Sequence, residues 1–210
     1  MMSDELVSRG ERTRAEIVQA AHDLFIQQGY HGTSMRQIAR RAGIALGSLY
    51  NHFESKEQVF QAVFIEYHPY REVLPLIDDV QGDDLEQFLR NAVHRMIGVM
   101  QKRPDFMNLM FIEIVEFKSA HIQELFNLIM PQALQLIQTI LRSHQAQLRP
   151  IPPFMLMRIF IGLFFAYYLT EIVIAAHAPA EFRLGAEDYF VDLFLHGILA
   201  QPAPGRSEAP

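Results

Sequence analysis

TSMRQIARRAGIALGSLYNHFESKE, residues 33–57, is the stretch on which the reading of this chain turns. A short apolar-patterned helix runs into the break Ala42-Gly43, and Gly47-Ser48-Leu49-Tyr50-Asn51-His52-Phe53 follows. Thr33 or Ser34 caps the first helix, Ser34 with Gln37 as a capping box, and Gly43 ends it. Two short helices joined by a tight glycine-containing turn form a helix-turn-helix. Ile38, Ala39, Ala42, Ile44 and Leu49 make its buried joint, and small Ala39 and Gly43 let the helices approach closely, which fixes the angle of the second. Ser48, Tyr50, Asn51 and His52 then ride on the projecting helix, within reach of phosphates or base edges, while Gly47 lets the backbone come near DNA. Asn pairs bidentately with adenine, whereas Tyr and Ser hydroxyls and a Lys ammonium mostly meet phosphate. Lys56 opens the next helix, where free N–H groups favour an anion. By pattern alone, an exposed helical hairpin without a ligand is the alternative reading of these residues.

Outward from this stretch the chain reads as all-α, without internal repeats and with almost no strand-like alternation. The first helix is expected over about 12–28, with Ile17, Ala20, Ala21, Leu24 and Phe25 on one stripe and Gly29 at its end. A third short helix runs to about Phe53, and Ser55 with Gln58 caps a fourth over 56–67. Residues 69–84, with two prolines, a glycine and four aspartates, read as a connector. Longer helices are expected near 84–103, 105–117, 121–148, 153–177 and 186–200, punctuated by proline. This gives a disordered arm over 1–11, a three-helix helix-turn-helix domain over 12–57, a helical bundle over 58–200 and a disordered tail over 201–210.

The 210 residues, half of them hydrophobic, suffice for a substantial core. Absence of cysteine removes disulfides, thiolate metal sites and cysteine nucleophiles, and fits a cytoplasmic location. The charged N-terminus has no signal-peptide core, and the most apolar run, 12 residues over 159–170, is shorter than a bilayer span of roughly 20, so no membrane is expected. A net charge of −6 argues at first against nucleic acid, but its distribution is uneven. Residues 1–56 carry seven Arg/Lys against six Asp/Glu, and the remainder eleven against eighteen.

Residues 13–60 closely resemble the N-terminal domain of TetR-family transcription regulators: Ile17, Ala20, Ala21, Phe25, Gly29 and Tyr30, then Thr33, Ile38, Ala39, Ala42 and Gly43. The most specific part is Gly47 to Phe53 followed by Ser55-Lys56-Glu57. The resemblance implies DNA contacts from Thr33, Ser34, Arg36, Gly47, Ser48, Tyr50, Asn51, His52 and Lys56. Two positions depart from the family pattern. Ala45 stands where members commonly have a capping Ser, and Leu46 where they commonly have a backbone-touching Lys. A lost N-cap oxygen costs about 1 kcal/mol of helix stability, and a lost phosphate contact lowers the salt slope by roughly one unit. Arg36, Arg40, Arg41 or the arginines at 9, 12 and 14 are available to compensate.

Beyond residue 67 only the pattern of long helices matches. The resemblance implies dimerisation through the last two long helices and a ligand pocket among the middle ones. Residues 153–177 are apolar nearly all round, and 186–200 carry Tyr189, Phe190, Leu193, Phe194 and Ile198; a helix buried on every side needs a partner. Met96, Met100, Met107, Met110, Phe111, Phe164, Phe165, Tyr167 and Tyr168 are pocket candidates for a bulky hydrophobic effector, with plain core packing as the alternative at each. Glu113, with Glu116 and Glu171, either faces a cationic ligand in that pocket or faces water or pairs with Lys118 or Arg158. The sequence carries no H-E-x-x-H, G-x-S-x-G, P-loop, G-x-G-x-x-G or paired Glu-x-x-His motif, so no enzyme, cofactor or metal is expected, and Asp192 with His196 reads as a hydrogen-bonded pair. Taken together, the expectation is a homodimeric DNA-binding regulator on a palindromic operator, most simply a repressor released by a small hydrophobic effector. An activator is the variant within that class. A carrier of an apolar ligand with a weakened DNA-binding head is the alternative.

Overall fold

The computed structural model of the chain describes residues 8–78, 85–175 and 177–198, and every regular element among them is helical. The chain divides into two compact units, Met1–Pro69 with Arg103–Asn127, and Tyr70–Lys102 with Leu128–Pro210.

The first unit is built on α1 (Arg9–Gly32), α2 (Met35–Arg41), α3 (Leu46–Tyr50), α4 (Lys56–Glu66) and α7 (Phe106–Glu116). Helix α1 starts three residues earlier than expected, because Ser8 and Glu11 form a reciprocal capping box. The proposed arm thus turns helical from Arg9, while residues 1–7 lie outside the described range. Gly29, at φ 75°, leaves helical geometry and ends the regular part of α1 as its sequence position suggests. The Ser34/Gln37 capping box and the left-handed Gly43 bound α2. The second expected box is only half formed. Ser55 accepts from the Gln58 N–H, but Gln58 Oε1 takes the Glu54 N–H. Helix α3 is one turn shorter than expected, ending in a turn at Asn51-His52 that brings Phe53 into the core. Ile17, Phe25, Ile38, Leu49, Phe60 and Phe64 are almost fully enclosed. The apolar periodicity of four short helices thereby becomes one core.

The second unit holds α5 (Tyr70–Asp78), α6 (Leu85–Gln101), most of α8 (Ile122–Ser143), α9 (Pro153–Thr170), α10 (Ala180–Arg183) and α11 (Ala186–Ile198). Part of the supposed connector over 69–84 is α5, with Pro75 inside it. Residues 79–84 lie outside the described range, as does the tail over 201–210. Helix α5 persists through proline because it packs on α6, so tertiary contact outweighs the lost N–H. Leu85, Val191, Leu195 and Ile198 anchor the core of this unit.

Helix α9 passes into one wider π turn, Glu171–Ala175. Pro153–Ala175 is therefore a continuous stretch of 23 residues with mean hydropathy 1.7. That corrects the length argument drawn from residues 159–170: helix continues past Arg158 and Glu171, and by length and composition alone it is long enough to cross a membrane. Phe154, Ile159, Ile161, Val173 and, on α11, Tyr189 and Leu193 are exposed in the single chain.

Candidate nucleic-acid interface

The one-turn helix α3 has two faces fixed by burial. Leu49 at 0% and Phe53 at 4% exposure are enclosed in the core, and α3 packs on α2, whose Ile38 and Ala39 are buried too. Tyr50, 49% exposed, points outward together with Asn51, and Ser48 and His52 are half-buried beside them. A side chain at Gly47 would meet no atom within 4 Å, so this surface is open to the approach of a backbone or a phosphate. The N-cap position, Ala45, has extended backbone and makes no side-chain cap bond, as its residue type requires. Exposed Arg36 and Arg40 on α2 flank the same element. Arg41 instead closes on Asp23 at 2.7 Å, and Arg14 lies over the Phe53 ring at 5.1 Å.

Two expected contact residues have other employment. Thr33 is buried, its hydroxyl donating to the Gly29 carbonyl at 2.9 Å, so its role is to close the end of α1. Lys56 donates to the carbonyls of Tyr30 at 2.7 Å and Thr33 at 2.8 Å, and its ammonium stands 4.1 Å from the Tyr30 ring centroid. Burial lowers the Lys56 pKa, against the opposing pull of Glu116. Its ammonium thus saturates chain carbonyls between α1 and α2 from the start of α4, a use that helix-start spacing does not reveal. Ser34 remains exposed but spends its hydroxyl on the Gln37 capping box.

Histidine–carboxylate pairs tie α7 into this unit. His22 of α1 stacks on Tyr67 at 3.7 Å, and its Nε2 stands 2.7 Å from an Asp105 carboxylate oxygen. His31 meets Glu116. Fully buried Glu113 accepts both the His121 backbone N–H at 2.7 Å and the His121 ring N at 2.8 Å, and Glu57 of α4 lies 3.7 Å from the other ring nitrogen. Lys118 and Ser119, both at positive φ, make the sharp return that brings His121 back onto Glu113.

The expected ligand residues separate between the units. A cavity of about 230 Å³ lies in the second unit, between α5, α6, α8, α9 and α11. Of the expected ligand residues only Met96 lines it; Phe164 and Tyr167 line a neighbouring hollow of about 20 Å³. Burial and then Glu171 raise the Tyr167 pKa to about 12. Met100 and Tyr168 are core, joined by a hydrogen bond from the Tyr168 hydroxyl to the Met100 carbonyl. Met110, Phe111 and Glu113 belong to α7 in the first unit, and Glu113 is consumed by His121, so none of the three lines the cavity. Sequence reasoning missed Phe88, Ala92, Leu136, Ile140 and Phe160 as lining residues. Their four-residue spacing was legible, but the same stripe serves a packed core and a cavity wall alike. Asp192 pairs with Arg90 at 2.6 Å, and the His196 ring bonds the Asp192 backbone carbonyl.

Residues 17–63 match the family model "Bacterial regulatory proteins, tetR family". The regulator UidR of Escherichia coli K12 is 37% identical over 65 residues, 31% of this chain and 33% of that protein. The repressor KstR2 of Mycolicibacterium smegmatis is 39% identical over 66 residues, 31% of this chain and 32% of its own length. The alignment thus spans about a third of the length of these curated relatives. Among solved structures, NalD of Pseudomonas aeruginosa, the secondary repressor of the MexAB-OprM multidrug efflux pump, superposes with TM-score 0.66 at 19% identity, over 92% of this chain and 100% of that one. A TetR-family chain from Mesorhizobium loti MAFF303099 gives 0.70 at 22% identity, over 92% and 100%. At these identities the structures establish the fold.

Proposed function

We propose, from the match of residues 17–63 to the tetR family of bacterial regulatory proteins and the likeness of that domain to regulators such as UidR, a homodimeric, cytoplasmic transcriptional regulator that binds a palindromic operator and responds to a small hydrophobic effector. The observation that carries it is α3: a short helix pinned by Leu49 and Phe53 that offers Gly47, Tyr50 and Asn51 outward. Ser34, Arg36, Ser48 and His52 complete the DNA-facing set, with phosphate contacts positioning and Asn51 reading base edges. Lys56 and Thr33 act through the chain, by holding α1, α2 and α4 together.

A two-fold dimer presents its recognition helices one DNA turn apart, about 34 to 36 Å. The exposed apolar residues of α9 and α11 are the surface assigned to the partner protomer, and their burial there accounts for the hydropathy of Pro153–Ala175 without a membrane. The effector acts from the cavity of the second unit, and shifts DNA affinity only by its differential affinity for the two states. Repression is the simplest sign, and no catalytic role is assigned. An apolar-ligand carrier is the second reading, favoured by the uncapped start of α3 at Ala45.

Footprinting on the DNA flanking the coding region, at two salt concentrations with non-specific competitor, tests the proposal. A protected near-palindrome lost in Tyr50→Ala, with unchanged oligomeric state, supports it. Absence of protection at both salts, with ligand affinity indifferent to DNA, favours the carrier, because coupling between sites is reciprocal.

A further inference from the structure

The effector cavity has a chemistry more specific than hydrophobic. All eighteen lining residues are Ala, Val, Leu, Ile, Met or Phe. Seventeen of them sit in helices, whose backbone N–H and C=O groups are spent on the helical ladders. Among the charged side chains beside the lining, Arg90 pairs with Asp192 and Glu86, and His94 with Asp188 at 3.3 Å. No acid, base, hydroxyl or amide faces the space among the described residues. A buried polar group without a partner is costly, and an ionised one far more so.

We propose that this cavity selects an uncharged, hydrocarbon-bodied molecule, whose single polar group, where it has one, stays at the opening. The assignment rests on reading the cavity as the effector site. It replaces the cationic ligand that Glu113, Glu116 and Glu171 suggested, since Glu113 pairs with His121, Glu116 with His31, and Glu171 does not line the space. Size sets a second limit. Apolar cavities near 150 Å³ take up benzene and stay free of water, so about 230 Å³ suits a body of roughly eight to ten carbons. Ala92 and Ala133 supply much of the room, being the smallest side chains in the wall.

The test uses the full chain and three probes of one chain length: 1-octanol, octanoate and octyltrimethylammonium, each displacing the neutral dye N-phenyl-1-naphthylamine at pH 7. The expected result is that 1-octanol competes at least about tenfold more strongly than either ion. Ala133→Phe should abolish octanol competition with the helical circular dichroism intact, and Ala92→Leu should weaken it, keeping the test valid if the larger replacement disturbs folding. Equal or stronger competition by an ion, competition unaffected in both folded variants, or none by octanol overturns the assignment. Octanol binding blocked by the variants while the operator footprint ignores octanol supports the ligand class, and sinks the effector role instead. A footprint alongside competition by the ions alone does the reverse.

Discussion

Lys56 shows how a residue of unchanged identity can change its role once its neighbours are known. At a helix N-terminus a lysine suggests phosphate, yet here its ammonium is divided between two chain carbonyls and an aromatic face. Lys56→Met should therefore lower folding stability by about 1–3 kcal/mol in urea titrations, since two carbonyls lose their donor; a variant as stable as the parent would return Lys56 to the DNA surface. His68 provides a second test at this scale. Burial near Phe64 and Phe106 lowers its pKa from 6.5 to about 4. The unfolded chain then takes up a proton that the folded one refuses, so this contribution is present above pH 6.5 and is lost as pH falls toward 4. The loss at pH 5 relative to pH 7 is about 2 kcal/mol, and His68→Phe should flatten the pH dependence of the urea midpoint over that interval.

Among the elements, α3 is short and uncapped, and its conformation is carried by Leu49 and Phe53. Ala45→Ser supplies the missing oxygen and should stabilise the first unit by about 0.5–1 kcal/mol, measured by thermal unfolding; no gain would mean that the extended Ala45 backbone cannot aim a hydroxyl at the helix. Helix α7 is held by buried chemistry. His121→Leu leaves Glu113 enclosed with its ring partner gone and should cost about 3–5 kcal/mol. Pairing it with Glu113→Met should recover much of that loss, because the unpartnered carboxylate disappears. A double variant as unstable as the sum of the singles would show that the two residues act independently.

For the whole molecule, the exposed apolar surface of the second unit is the feature a single chain leaves unexplained. Leu193 is 66% exposed and Tyr189 71% on α11, and Ile159 and Val173 lie open on α9 and its extension. Leu193→Glu should turn the proposed dimer into a monomer at micromolar concentration in sedimentation and shrink the footprint to weak half-site protection, since the charge would be buried unpaired. A persisting dimer would place the interface elsewhere.

Helix class, the capped start of α2, the glycine stops at Gly29 and Gly43, and the helix-turn-helix were all legible in the sequence, because local backbone chemistry and short-range periodicity decide them. So was the outward set Gly47, Tyr50 and Asn51, since it falls between the buried positions of one helical turn. Tertiary structure alone decided that α5 survives Pro75, that Lys56 and Thr33 turn inward, that Glu113 is locked to His121, and that Met110 and Phe111 lie in a different unit from the cavity. Each depends on partners far away in sequence, and an apolar stripe has the same spacing whether it fills a core or lines an empty space.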